Sequence, residues 1–94
     1  MLISPSVRQK LNQSDHNVTE AEILECFANR EPGDCIDTRA WHATNPETRW
    51  FVAQTDRGRE LKIVYIFHMS GLVEIKSAYS ATPNVKRIYE KYRR

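Results

Sequence analysis

Apolar and polar positions follow two different periods along the chain, and the change falls at Gly33. Before it the spacing is helical. Val7 and Leu11 share one face at i, i+4, behind a Ser4-Pro5 start that supplies a cap and a proline for the first helical position. The polar run at residues 12–17 ends this short helix. A second helix starts at Thr19. Thr19-Glu20-Ala21-Glu22 is a capping box, and Val18 and Ile23 are placed to staple across it. Ile23, Leu24 and Phe27 form its buried stripe, with Cys26 at the edge. Pro32 and Gly33 stop it.

After Gly33 the period shortens to two. Residues 35–42 read as a weak edge strand, ended by Asn45-Pro46. Residues 48–55 make a stronger strand around Trp50, Phe51 and Val52, and Asp56-Arg57-Gly58-Arg59 reads as a tight hairpin turn. Residues 61–68 are the most apolar stretch and should be central. Ser70-Gly71 turns the chain into a fourth strand at 72–79. Thr82-Pro83 then opens a last helix. Val85, Ile88, Tyr89 and Tyr92 share its apolar face, expected to be core, while Lys86, Arg87, Lys91 and Arg94 lie on the other. The order α-α-β-β-β-β-α predicts an α+β fold: a four-stranded antiparallel sheet with the helices packed on one face.

Register follows from loop length. With two-residue loops at Arg57-Gly58 and Ser70-Gly71, Lys62 lies opposite Tyr79, Val64 opposite Ser77 and Trp50 opposite Tyr65. Alternation then puts Trp50, Val52, Leu61, Ile63, Tyr65, Phe67, Leu72 and Ala78 on a helix-covered face. Arg49, Thr55, Lys62, His68, Ser77 and Tyr79 go to the more exposed face, around Phe51, Val64 and Ile75. A slip of one residue in either hairpin would invert part of this sorting.

Composition narrows the class. Ninety-four residues, with 40% hydrophobic and 28% charged, suit one soluble globular domain spanning residues 1–94. The longest apolar run, at 63–67, is far short of the roughly 20 residues that cross a membrane. The start of the chain lacks the basic and apolar regions of a signal peptide. Cys26 and Cys35 form neither a disulfide framework nor a C-x-x-C pair, so two reduced thiols in a cytoplasmic protein are expected. His16, His42 and His68 have no metal-ligand spacing and the three glycines are isolated, so no metal and no cofactor are expected. A net charge of +2 hides an asymmetry: residues 15–37 are strongly acidic and residues 86–94 strongly basic. That contrast points toward a charged partner.

Several stretches together resemble the BrnT toxins of the broad RelE-like superfamily of bacterial toxin–antitoxin systems. They are Thr48-Arg49-Trp50-Phe51-Val52-Ala53, Arg57-Gly58-Arg59-Glu60-Leu61-Lys62-Ile63-Val64-Tyr65, Ile75-Lys76-Ser77-Ala78-Tyr79 and Arg87-Ile88-Tyr89-Glu90. The front half is similar too, with a short helix, a His16-Asn17-Val18-Thr19 linker and a helix ending in Cys26-Phe27. The resemblance covers most of the chain. It implies a small sheet with helices on one side and a ribonuclease that acts without metal. It also implies neutralisation by a cognate antitoxin protein, with assembly as a homodimer or as a hetero-oligomer with that antitoxin. Thr55 and Tyr79 stand where such chains tend to carry arginine. That difference raises a second expectation, a non-catalytic protein- or RNA-binding module on the same fold.

Metal-independent RNA cleavage needs a base for the 2′-hydroxyl, cations for the charge building on phosphate, and an acid for the leaving oxygen. The candidates are Lys62, Tyr79, Arg59 and His42, with Arg49, Lys86, Arg87 and Lys91 as contacts to RNA or a partner. Trp41 and Trp50 could stack on bases, but a chain this small needs aromatic core, so packing is the expectation for both.

Overall fold

The computed structural model describes residues 1–38 and 44–94. In chain order its elements are β1 (Leu2–Ile3), α1 (Pro5–Leu11), α2 (Glu20–Asn29), β2 (Cys35–Ile36), β3 (Thr48–Gln54), β4 (Glu60–Phe67), β5 (Val73–Ser80) and α3 (Pro83–Tyr92). Each helix starts at the cap its sequence offers. Ser4 Oγ accepts from the Val7 N–H at 3.3 Å and Thr82 Oγ1 from the Val85 N–H at 3.2 Å. At α2 both halves of the capping box form: the Glu22 N–H donates to Thr19 Oγ1 at 3.1 Å, and the Thr19 N–H to Glu22 Oε1 at 3.0 Å.

The sheet has five strands in the order β1-β5-β4-β3-β2. It is mixed, because Leu2 and Ile3 pair in parallel with Glu74 and Ile75. This corrects the expectation of four wholly antiparallel strands; a two-residue strand is too short to show a period. Of the strand expected at 35–42, Cys35 and Ile36 pair with Trp50 and Arg49. Residues 37 and 38 are irregular, and 39–42 lie outside the described residues.

Both central hairpins have three-residue loops. The Thr55 N–H donates to the Arg59 carbonyl at 2.8 Å and the Gly58 N–H to that of Thr55 at 2.9 Å. The His68 N–H donates to the Leu72 carbonyl and the Gly71 N–H to that of His68, each at 2.9 Å. Gly58 and Gly71 sit at φ 86° and 90°, the positive-φ position that closes this loop type. Each loop moves the register by one residue from the expectation. Between β4 and β5 the shift is absorbed. Tyr65 faces Ile75 and Val64 faces Ser77, leaving Lys76 unpaired, so Lys62 still faces Tyr79. Between β3 and β4 nothing absorbs it, and Trp50 faces Val64 while Val52 faces Lys62. Trp50 and Val52 therefore lie on the Lys62 face, and Phe51 lies on the other.

That exchange sets the layers. Phe51, Leu61, Ile63, Ile75 and Ala78 are fully buried on one face, beneath Ile23 and Cys26 of α2 and Val7 and Leu11 of α1. Phe27 meets Phe51 and Tyr65 edge-on at 4.9 and 5.4 Å. α3 packs on the opposite face, where the Tyr89 ring lies 5.9 Å from Trp50. Lys86 Nζ there donates to Glu60 Oε1 at 2.8 Å. Helices thus cover both faces, where one-sided packing was expected. Cys26 and Cys35 are buried with free thiols. Burial, with nearby carboxylates, pushes Cys26 up to about 11 and raises Cys35 as well. No helix among the described residues is long and apolar enough to cross a membrane.

Candidate functional site

Lys62 sits on β4 with β3 and β5 paired on either side, so its Cβ is held firmly. Its Nζ lies 4.4 Å from the centre of the Trp50 ring and 5.6 Å from that of Tyr79. It forms no ion pair with any described residue. A cation held by two ring faces gains about 0.5–2 kcal/mol and keeps its charge available. Trp50 itself is buried between Lys62 and Tyr89, so it packs rather than offering a free face.

Lys62 and Trp50 stand at one end of a groove of about 770 Å³ that runs along β2 and the last turn of α3. Cys35, Ile88 and Tyr92 line it, with Arg49 and Arg94 beside them. Two carboxylates line it as well, Asp34 and Asp37. Asp34 is occupied: Arg30 donates to Oδ1 and the Tyr65 hydroxyl donates to Oδ2 at 2.8 Å. The Arg49 guanidinium comes within 4.0 Å of the same carboxylate and stays 43% exposed. Tyr92, expected in the core with Tyr89, is 58% exposed. β2 is only two residues long, so the end of α3 has little sheet to rest on. The groove thus has an aromatic and aliphatic wall, with three cations, Lys62, Arg49 and Arg94, set against the two carboxylates.

The remaining candidates scatter. Tyr79 faces Lys62 across the β4–β5 pair, and its ring also meets His16 edge-on at 5.7 Å. Arg59 lies on the α2 side of the sheet. Its guanidinium donates to the Asn17 and His16 carbonyls at 2.7 and 2.9 Å, to Ser80 Oγ at 3.2 Å and to Glu22 Oε2 at 3.1 Å. It anchors the α1–α2 loop and stands apart from Lys62. Lys86 pairs with Glu60, Arg87 donates to Asn84 Oδ1 at 3.3 Å, and Lys91 Nζ lies 5.3 Å from the Tyr92 ring. His42 and Trp41 lie outside the described residues. His68 is bonded to Glu74 at the far end of β4. Thr55, expected on the exposed face, is buried because its Oγ1 accepts the Arg59 N–H inside the hairpin. Register therefore brings Lys62 and Tyr79 together. Arg49, which pairs opposite Tyr65 on the other pleat, lines the same groove as Lys62, with Tyr92 and Arg94. His16 meets Tyr79 from beyond the outer edge of β5, away from those groove residues, and was not singled out by the residue pattern. Among the described residues no cluster of histidine, cysteine or acidic side chains could hold a metal ion.

No protein-family model, curated protein or solved structure matches this chain.

Proposed function

We propose that the protein binds single-stranded RNA along the Lys62 groove in the cytoplasm. On the BrnT-like resemblance, we further propose that it cleaves that RNA without metal and is neutralised by a cognate antitoxin. One observation carries the binding reading: the Lys62 ammonium, in no ion pair with a described residue and held between Trp50 and Tyr79, faces a groove with Arg49, Arg94 and the exposed Tyr92 ring. Cations that track a phosphate backbone, interleaved with an aromatic face for a base, are what sequence-tolerant single-strand binding requires. Lys62 would hold a phosphate and oppose the charge that builds on it during transesterification. Arg59, with its donors spent on the α1–α2 loop, favours a second reading in which the chain binds without cutting.

A labelled RNA oligonucleotide in chelator tests both. The parent should bind with a steep salt dependence and shorten the RNA. Lys62→Met keeps the stem, so it should fold like the parent, bind more weakly and lose about 0.7 from the logarithmic salt slope. Binding without shortening selects the second reading. No binding at low salt, or Lys62→Met binding as tightly as the parent, removes RNA from this groove.

A further inference from the structure

The loop after α1 brings His16 to the outer edge of β5. Its Nδ1 lies 2.9 Å from the Ala78 carbonyl oxygen, and that oxygen can only accept. Nδ1 therefore carries the hydrogen, and in the neutral ring Nε2 holds the lone pair. The nearest polar partner of Nε2 among the described residues is Asp15 Oδ2 at 4.0 Å, too far for a hydrogen bond. The ring stands at 81° to Tyr79, and Tyr79 faces Lys62. A cation, a phenol and an imidazole thus follow one another from β4 outward past the edge of β5.

Half of this arrangement has a plain structural purpose. The carbonyls of an outer strand need donors, and Nδ1–H supplies one. That purpose makes no use of Nε2, and it fixes the tautomer that a base requires. We propose that His16 is the proton-transfer residue of the Lys62 site, a role that rests on the RNA reading above. Nε2 takes the proton of a ribose 2′-hydroxyl as the 2′-oxygen bonds to phosphorus. The bond from phosphorus to the 5′-oxygen breaks, and that oxygen takes the Tyr79 hydroxyl proton. The imidazolium then returns its proton to the Tyr79 phenolate through water. One RNA end leaves as a 2′,3′-cyclic phosphate and the other as a 5′-hydroxyl, with both side chains restored. Lys62 remains a cation throughout.

The charged groups nearest His16 are Asp15, whose Oδ2 lies 4.0 Å from Nε2, and Arg59, which donates to the His16 carbonyl and is itself paired with Glu22. Lys62 lies beyond Tyr79.

His16→Asn separates the two purposes. Its amide N–H can occupy the place of Nδ1–H, and nothing occupies the place of Nε2. Single-turnover cleavage of an RNA oligonucleotide in chelator, followed from about pH 5 to 9, should fall by about 10²–10⁴-fold. The acidic limb of the profile, where histidines titrate, should vanish. RNA affinity should stay within about twofold of the parent. His16→Asn cleaving like the parent with the same profile overturns the proposal. So does a parent that binds RNA without cutting it, although the binding reading then stands; a parent that neither binds nor cuts overturns both. Should His16→Asn melt far below the parent, imidazole nitrogen shifts of the parent decide. An Nδ1–H tautomer whose titration moves when a dinucleotide is added supports the role, and an Nε2–H tautomer overturns it.

Discussion

Replacing Arg59 by methionine removes the guanidinium and keeps most of the stem. The structure makes this a stability experiment. Two backbone carbonyls, Asn17 and His16, lose a charged donor, and Glu22 loses its ion pair at 3.1 Å. Water can replace part of this, because the Arg59 and Glu22 side chains are 30% and 24% exposed. Taking about 1 kcal/mol for each carbonyl and about 0.5 kcal/mol for the pair gives a loss of about 2–3 kcal/mol. For a domain of this size that lowers Tm by roughly 10–20 °C, read by far-ultraviolet circular dichroism. The loss should depend on pH. Burial alone would raise the Glu22 carboxyl; the Thr19 N–H bond and the Arg59 bond and charge outweigh it and hold it below the usual value. A carboxyl lowered on folding stabilises above its unfolded pKa, and the effect fades as pH falls through the folded value. The gap between parent and Arg59→Met should therefore be full near neutrality and close as pH drops below about 4. If Arg59→Met melts within about 2 °C of the parent and loses only RNA affinity, Arg59 is a ligand contact and its place as an anchor is wrong.

Two further outcomes follow from the packing. Both cysteines are buried and their thiols are raised, so neither should react with an alkylating reagent at about pH 8 until urea unfolds the chain; rapid labelling of native Cys35 would contradict its burial beside Lys62. Gly33→Ala should cost about 1–3 kcal/mol in urea unfolding, since the backbone is at φ 111° and a Cβ would meet Arg93 Cβ at 3.3 Å; an unchanged midpoint would show that the α3 terminus is not seated there.

What the sequence made legible were local events. The three helix starts are written in Ser4-Pro5, in Thr19 with Glu22 and in Thr82-Pro83, because a cap needs only residues within one turn. β4 is legible because it is apolar along nearly its whole length. β1 is not, since Leu2 and Ile3 are a strand only by virtue of Glu74 and Ile75, more than seventy positions away. The side on which α3 packs was equally hidden. Its apolar stripe says that it packs, and the parity of β3 says where.

That parity was within reach of turn chemistry. A two-residue loop at Arg57-Gly58 would put Arg57 at positive φ, which only glycine, asparagine and aspartate accept easily. The same objection holds weakly for Ser70 before Gly71. A three-residue loop asks for positive φ at the glycine alone, and both hairpins take it. In the second hairpin the unpaired Lys76 cancels the change, so Lys62 and Tyr79 meet as the simpler counting has it. In the first hairpin no residue cancels it, and Trp50 moves from the α2 face to the Lys62 face. The candidate site is thus the sum of two single-residue offsets. One more or one fewer in either hairpin would part Lys62 from Trp50 or from Tyr79, because it would carry that partner ring to the other face of the sheet.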